Sequence, residues 1–250
     1  MERYRNLTWA VLISIIVCII SILGYQLAGS YDIVRRLFKL LGGDFMNGGY
    51  IQLLTFIMFF WAMLEMNKRK KEIENELTGF TIDVLPRTDN YVIYPEDING
   101  IRLKIQELEK SYDFVLLKLI KKACTKFIRT KSVSETQDMI SSQTKINLTN
   151  AESEQSMVNY MLWAIPSFGF IGTVLGISNA LAKAAVSSEN IELITSLLSV
   201  AFDTTLIALL LSVVAMWFSH FIHEKESKLH ADMEEYLIDN LVNRIDTQHV

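Results

Sequence analysis

The chain has 250 residues, half of them hydrophobic and 21% charged, and a net charge of −4. Its apolar residues fall in long blocks, and with three prolines and eleven glycines it is neither collagen-like, Pro-rich nor broadly disordered; this is the composition of a lipid-facing protein. Basic and acidic residues interleave instead of forming a stripe, so nucleic acid is not an expected partner.

Four apolar runs, 7–28, 50–66, 157–182 and 193–222, approach the roughly 20 residues that a helix needs to cross a bilayer. The expected fold is therefore an all-α integral membrane protein with four transmembrane helices. Its parts are an N-terminal helix pair (1–66), a cytoplasmic helical region (67–156), a second helix pair (157–222) and a cytoplasmic C-terminal helix (223–250). The second run is short, with Gln52 and Glu65 near its ends, and crosses with tilt or local thinning.

Arg3 and Arg5 precede the first run, Lys68, Arg69, Lys70 and Lys71 follow the second, and Lys225 and Lys228 follow the fourth. The bias of basic residues toward the inner side places these clusters, and both termini, in the cytoplasm. The link between runs three and four holds Lys183 against Glu189 and Glu192, which suits the outer side. An alternative is a cleaved signal peptide ending at Leu27-Ala28-Gly29, although the first apolar run exceeds the usual length of about 7 to 15 residues. The first outer loop, 29–49, is basic, with Arg35, Arg36 and Lys39 against Asp32 and Asp44. A short interfacial helix with Ile33, Leu37, Leu40 and Leu41 toward lipid and the cations toward headgroups reconciles this.

In the region 67–156, residues 78–94 contain Pro86, Asp89 and Asn90 and read as irregular chain. Pro95 fits a first helical turn. Ile98, Ile101, Ile105, Leu108, Tyr112, Val115 and Leu119 then alternate steps of three and four, the seam of one helix packed in an intramolecular bundle or an intersubunit coiled coil. A second helix starts near Ser132 or Ser134 and runs unbroken into run three, because 134–156 holds no Gly or Pro. Leu229, Met233, Leu237 or Tyr236, and Leu241 carry the same spacing past run four. Spans three and four thus gain long cytoplasmic extensions.

Cys18 and Cys124 lie in an apolar run and a charged helical stretch and imply no disulfide. The sequence has no CxxC, HExxH, Walker loop or Ser/His/Asp signature, and all four histidines crowd the C-terminal end, so no enzyme activity, metal or cofactor is expected.

Helices in lipid associate through small residues and through polar side chains that bond across the interface. Run three carries Gly169, Gly172, Thr173, Gly176 and Ala180 on one narrow face, after Pro166, which is expected to bend or loosen the helix. Run four carries Ala201, Thr205, Ala208, Ser212, Ala215 and Ser219 at steps of four and three, opposite Phe202, Leu206, Leu209, Val213 and Trp217. Such stripes are packing seams or, in a ring of several copies, the lining of a central space that holds a partner helix, with runs one and two as an outer layer lacking such faces.

The stretch A-I-P-S-F-G-F-I-G-T-V-L-G-I at 164–177 resembles the P-x-x-G-x-x-G-T-V-x-G segment of MotA/TolQ/ExbB proteins, and A-F-D-T-T-L-I-A-L at 201–209 resembles their A-L-x-x-T-x-x-G-L segment. The resemblance covers runs three and four, about a quarter of the chain. It implies a channel-forming subunit of an ion-driven rotary motor in the bacterial inner membrane, with the proton as the expected ion. The subunit would form a homopentamer around two single-span partners of the MotB/TolR/ExbD type, each bringing a protonatable membrane aspartate. Pro166, Gly169, Gly172, Thr173 and Gly176 match the family's third-span motif and Thr205 its fourth-span threonine. Thr173 and Thr205 are the residues expected to line the ion path. Ala208 stands where glycine is common, and the proline that often follows in the transport branch is absent, which leaves the branch open.

Asp203 is read in two ways: a group where ions enter or the partner docks, or a residue at the outer headgroups or paired with a basic side chain. It points away from Thr205 on the helix, while Thr204 is placed to mediate between adjacent subunits. The alternative function is a non-conducting membrane scaffold or signal relay. A secondary transporter would show internal repeats and midplane ionisable residues, which this sequence lacks.

Overall fold

The computed structural model describes residues 2–28, 31–82, 84–85, 91–186 and 191–246, so Gly29, Pro86, Asp89, Asn90 and Glu189 lie outside the described residues. Its main helices are α1 (Glu2–Leu27), α2 (Asp32–Phe38), α3 (Gly49–Thr78), α4 (Asp97–Leu108), α5 (Val115–Thr130), α6 (Val133–Glu154), α7 (Ser156–Val186) and α8 (Ile191–Asn240). No strand forms among the described residues beyond one isolated parallel bridge between Ile93 and Ile245. Four helical stretches are long and apolar enough to cross a membrane: Tyr4–Leu27, Gly49–Thr81, Val133–Ala185 and Ile191–Arg244. The 50 residues of α8 contain no Gly or Pro, so its ladder runs without a stop signal.

The chain divides into two compact units. The first comprises residues 1–68 and 156–220. Within it α1 buries Ala10, Ser14, Cys18 and Ser21, a small-residue face at helical spacing. This corrects the expectation that run one lacks such a face. Ser14 and Ser21 donate their hydroxyls to the Ala10 and Val17 carbonyls, so neither is left unpaired. The interfacial helix expected in 29–49 is α2, only seven residues long, with Ile33 and Leu37 exposed. A single wide turn, Lys39–Gly43, follows it. Gly42 there has φ 93°, a conformation that Cβ-bearing residues avoid, and buried Gln52 ties the turn down by donating to the Leu40 carbonyl at 2.5 Å.

The second unit comprises residues 69–155 and 221–250. The seam expected to run as one helix from Ile98 to Leu119 is two helices, α4 and α5, packed on each other, and α5 packs in turn on α6. The helix stops because Ser111 and Tyr112 both return their N–H groups to the Leu108 carbonyl, and Phe114 is extended. Tyr112 is exposed, outside any seam. The start of α5 is fixed from far away in sequence: Glu76 accepts the Val115 N–H at 2.9 Å. Pro95 lies in a turn just ahead of α4 instead of inside it.

Ser132 caps α6 by accepting the Glu135 N–H, as the sequence suggested. The expected unbroken passage from α6 into α7 is interrupted at one residue. Gln155 shares its N–H between the Ala151 and Glu152 carbonyls, tightening the last turn, and α7 begins at Ser156.

Candidate functional site

In the first unit the small faces of α7 and α8 meet each other. A Cβ placed on Gly169 would overlap the Ala208 methyl, one on Gly172 would come within 2.5 Å of the Thr204 hydroxyl, and one on Gly176 within 2.5 Å of the Ala201 methyl. Contacts that climb along α7 therefore descend along α8, an antiparallel zipper that only glycines on one side permit. Without a hydrophobic drive in lipid, such close approach is the main source of helix association. Ala201, Ala208, Ser212 and Ala215 are buried on this side, whereas Phe202, Leu206, Leu209, Val213 and Trp217 are exposed on the other. Pro166 sits half-buried inside α7, which continues through it.

Half-way along this seam the hydroxyls of Thr173 and Thr205 bond to one another. Thr205 also donates to the Gly169 carbonyl at 2.8 Å, and Thr173 to the Ala201 carbonyl at 3.0 Å. Thr173 also lies 3.4 Å from the Gly169 carbonyl, so two hydroxyl hydrogens serve four contacts. Both threonines are only half-buried, so this hydroxyl pair is reachable at the edge of the seam. Gly169 and Gly172 are buried: within one chain their face is filled by α8.

Thr204 and Asp203 differ from that pair. Thr204 is buried, donates to the Ala201 carbonyl at 2.7 Å and packs against Gly172, which uses it inside the chain instead of toward a neighbouring copy. Asp203 is 1% exposed, and both its oxygens accept from Arg36 of α2, at 2.5 and 2.6 Å. Arg36 also reaches Ser199, and Lys39 reaches Ser196, so these cations of the 29–49 loop turn to α8, not to headgroups. Of the two readings of Asp203, pairing with a basic side chain is the one the structure shows; the sequence left the partner unnamed, although an overly basic loop and a carboxylate in an apolar run were both visible in it. Opposite charges with no local partner were the available signal.

The model of the MotA/TolQ/ExbB proton channel family matches residues 111–235, which reach from α5 through most of α8. The chain belongs to this family. The match extends well upstream of the two motif segments, so the family pattern includes α5 and α6 as well as the glycine and threonine seam. No curated protein and no solved structure is a match. Membership in a proton channel family, together with four apolar helices of spanning length, makes the chain a multi-pass membrane protein and a channel-type subunit.

Proposed function

We propose that this MotA/TolQ/ExbB member is the channel-forming subunit of a proton-driven rotary motor in the bacterial inner membrane, with both termini cytoplasmic. Five copies surround two single-span partners of the MotB/TolR/ExbD type, whose membrane aspartates load and release the proton while Thr173 and Thr205 line its path. The observation that carries this reading is the paired, half-exposed hydroxyls of Thr173 and Thr205 at the edge of a seam inside the family-matched region. A proton crossing about 100 mV releases about 2.3 kcal/mol, and this work is delivered to the partner's carboxylate, because Asp203, the acid within the fourth apolar run, is already bound by Arg36.

A scaffold without ion flow is favoured by a different observation: the hydroxyls of Thr173, Thr204 and Thr205 each find an acceptor within the same chain, as packing alone would have them do. Thr205→Val separates the two, since it removes the hydroxyl and keeps the shape. Loss of proton flux and of the ion-dependent phenotype, with unchanged protein level in the membrane, is expected for the motor. Unimpaired flux or phenotype refutes the threonine path and leaves the scaffold.

A further inference from the structure

In the second unit an ionisable cluster that the threonine seam does not use gathers around buried Glu226 and His230. α3 presents Arg69, Glu72 and Glu76 at steps of three and four, α8 presents Glu226 and His230 one turn apart, and α6 ends at Glu154. These six surround a cavity of about 280 Å³. Glu226 is 1% exposed, and its two oxygens accept from Arg69 Nη2 and Gln155 Nε2. Arg69 Nη1 reaches Glu72 at 3.0 Å and Glu154 at 3.4 Å. Two nitrogens remain: Arg69 Nε and His230 Nδ1 are buried with no hydrogen-bond partner in the protein, and His230 is only 6% exposed.

A buried polar atom left unpaired costs about 1 to 3 kcal/mol, and such atoms in native proteins are met by ordered water. At about 30 Å³ per molecule this cavity has room for several waters. Water accepting from Arg69 Nε–H and donating to His230 Nδ1 pairs both atoms, provided that His230 carries its hydrogen on Nε2.

We propose that this cavity is a hydrated proton-binding site, in which His230 takes a proton from water and Glu226 responds to the charge. This rests on the proton-channel reading above, because it needs protons delivered to the chain. Hydronium in the cavity gives its proton to Nδ1 and remains as water; release is the reverse. Imidazolium at 230 lies one helical turn from Glu226, whose carboxylate is then shared between His230 and Arg69. Since Glu226 also holds Gln155, the charge on His230 is felt at the break between α6 and α7.

The surroundings set the range over which this occurs. Burial lowers the His230 pKa, Glu226 raises it in part, and Arg69 lowers it, so the imidazole is neutral near pH 7 and charges as pH falls below its ordinary value of about 6.5. Burial pushes the Glu76 carboxyl up, against the Val115 N–H and Lys118, which hold it down, and Asp113 adds to the rise. Glu72 and Glu154 complete the lining of the cavity and face Arg69. Burial lowers the Arg69 pKa, but the hydrogen bonds and charges of Glu226 and Glu72 more than reverse this, so Arg69 stays charged throughout.

The test is nitrogen NMR of the full chain in lipid bilayers with labelled histidine, titrated from about pH 8 to 4.5, with His230→Gln assigning the signal. One imidazole, absent from H230Q, is expected to titrate below about 6.5, to show magnetisation transfer from water, and to drop by about one pH unit in Glu226→Gln. An imidazole that is dry, that stays neutral while the protein remains folded, or that keeps its midpoint in E226Q overturns the proposal. Should E226Q not fold, hydration and titration of the wild-type signal decide alone. Proton flux in vesicles from membranes that hold the native complex separates this from the channel reading. Flux with a pH profile unmoved by H230Q overturns the proton-binding role and keeps the channel, whereas a hydrated, titrating His230 without flux supports the site and overturns the channel.

Discussion

Gly169→Ala adds a single methyl where α7 and α8 are closest. The new carbon would overlap the Ala208 methyl and stand 3.2 Å from the Thr205 Cα and 3.3 Å from the Thr204 carbonyl oxygen, inside the 3.5 to 4.0 Å optimum. Two of these neighbours are backbone, so no rotamer change relieves the contact and the helices must part. Overpacking of this kind costs about 1 to 3 kcal/mol. Parting also stretches the 2.8 Å bond from Thr205 to the Gly169 carbonyl, about 1 kcal/mol more, while Gly to Ala returns about 1 kcal/mol of helix propensity. The expected net loss is about 2 kcal/mol. Ala208→Gly alone is expected to lose about 1 kcal/mol through propensity, yet it vacates the space the new methyl needs. The double variant should therefore be more stable than the sum of the singles by about 1 to 2 kcal/mol. Unfolding in mixed micelles, followed by tryptophan fluorescence, measures all four corners of the cycle. Additive losses, or a stabilised Gly169→Ala, would refute the zipper.

Arg36→Gln leaves the Asp203 carboxylate buried and unpaired and should destabilise the protein by about 3 kcal/mol in the same assay, with much of the loss recovered in Arg36→Gln/Asp203→Asn. Lys131 closes α5 with φ 53°, so Lys131→Gly should stabilise by about 1 kcal/mol; a loss would mean that its ammonium over the Phe127 ring matters more. Burial pushes the Cys124 thiol up to about 12, so maleimide at pH 8 should label Cys124 only after denaturation. The same shift makes its contribution to stability complete below the unfolded-state value near 9 and progressively lost as pH rises from there toward 12, which a denaturation series against Cys124→Ala detects.

What the sequence revealed and what it hid divide along the range of the interactions concerned. The α7 and α8 stripes are legible because close approach in lipid depends on residue size, and size recurs at helical spacing within one segment. The Ala10, Ser14, Cys18 and Ser21 face of α1 is equally local, with steps of four and three inside one segment. By contrast, the break between α4 and α5 is invisible to periodicity, since Tyr112 keeps the step of three and four across the turn; the restart at α5 is fixed by Glu76, 39 residues upstream, taking the Val115 N–H. The Arg36–Asp203 clamp spans 167 residues and Arg69–Glu226 spans 157, so each charge was visible and its partner was not. In the first unit buried Asp203 meets a full bidentate partner, whereas in the second unit Glu226 shares its guanidinium with Glu72 and Glu154 and leaves Arg69 Nε and His230 Nδ1 unmet. A satisfied carboxylate is a fixed structural element and an under-satisfied cluster is one whose charge can change. On the proton-channel function proposed above, the second kind is where chemistry beyond the threonine seam belongs.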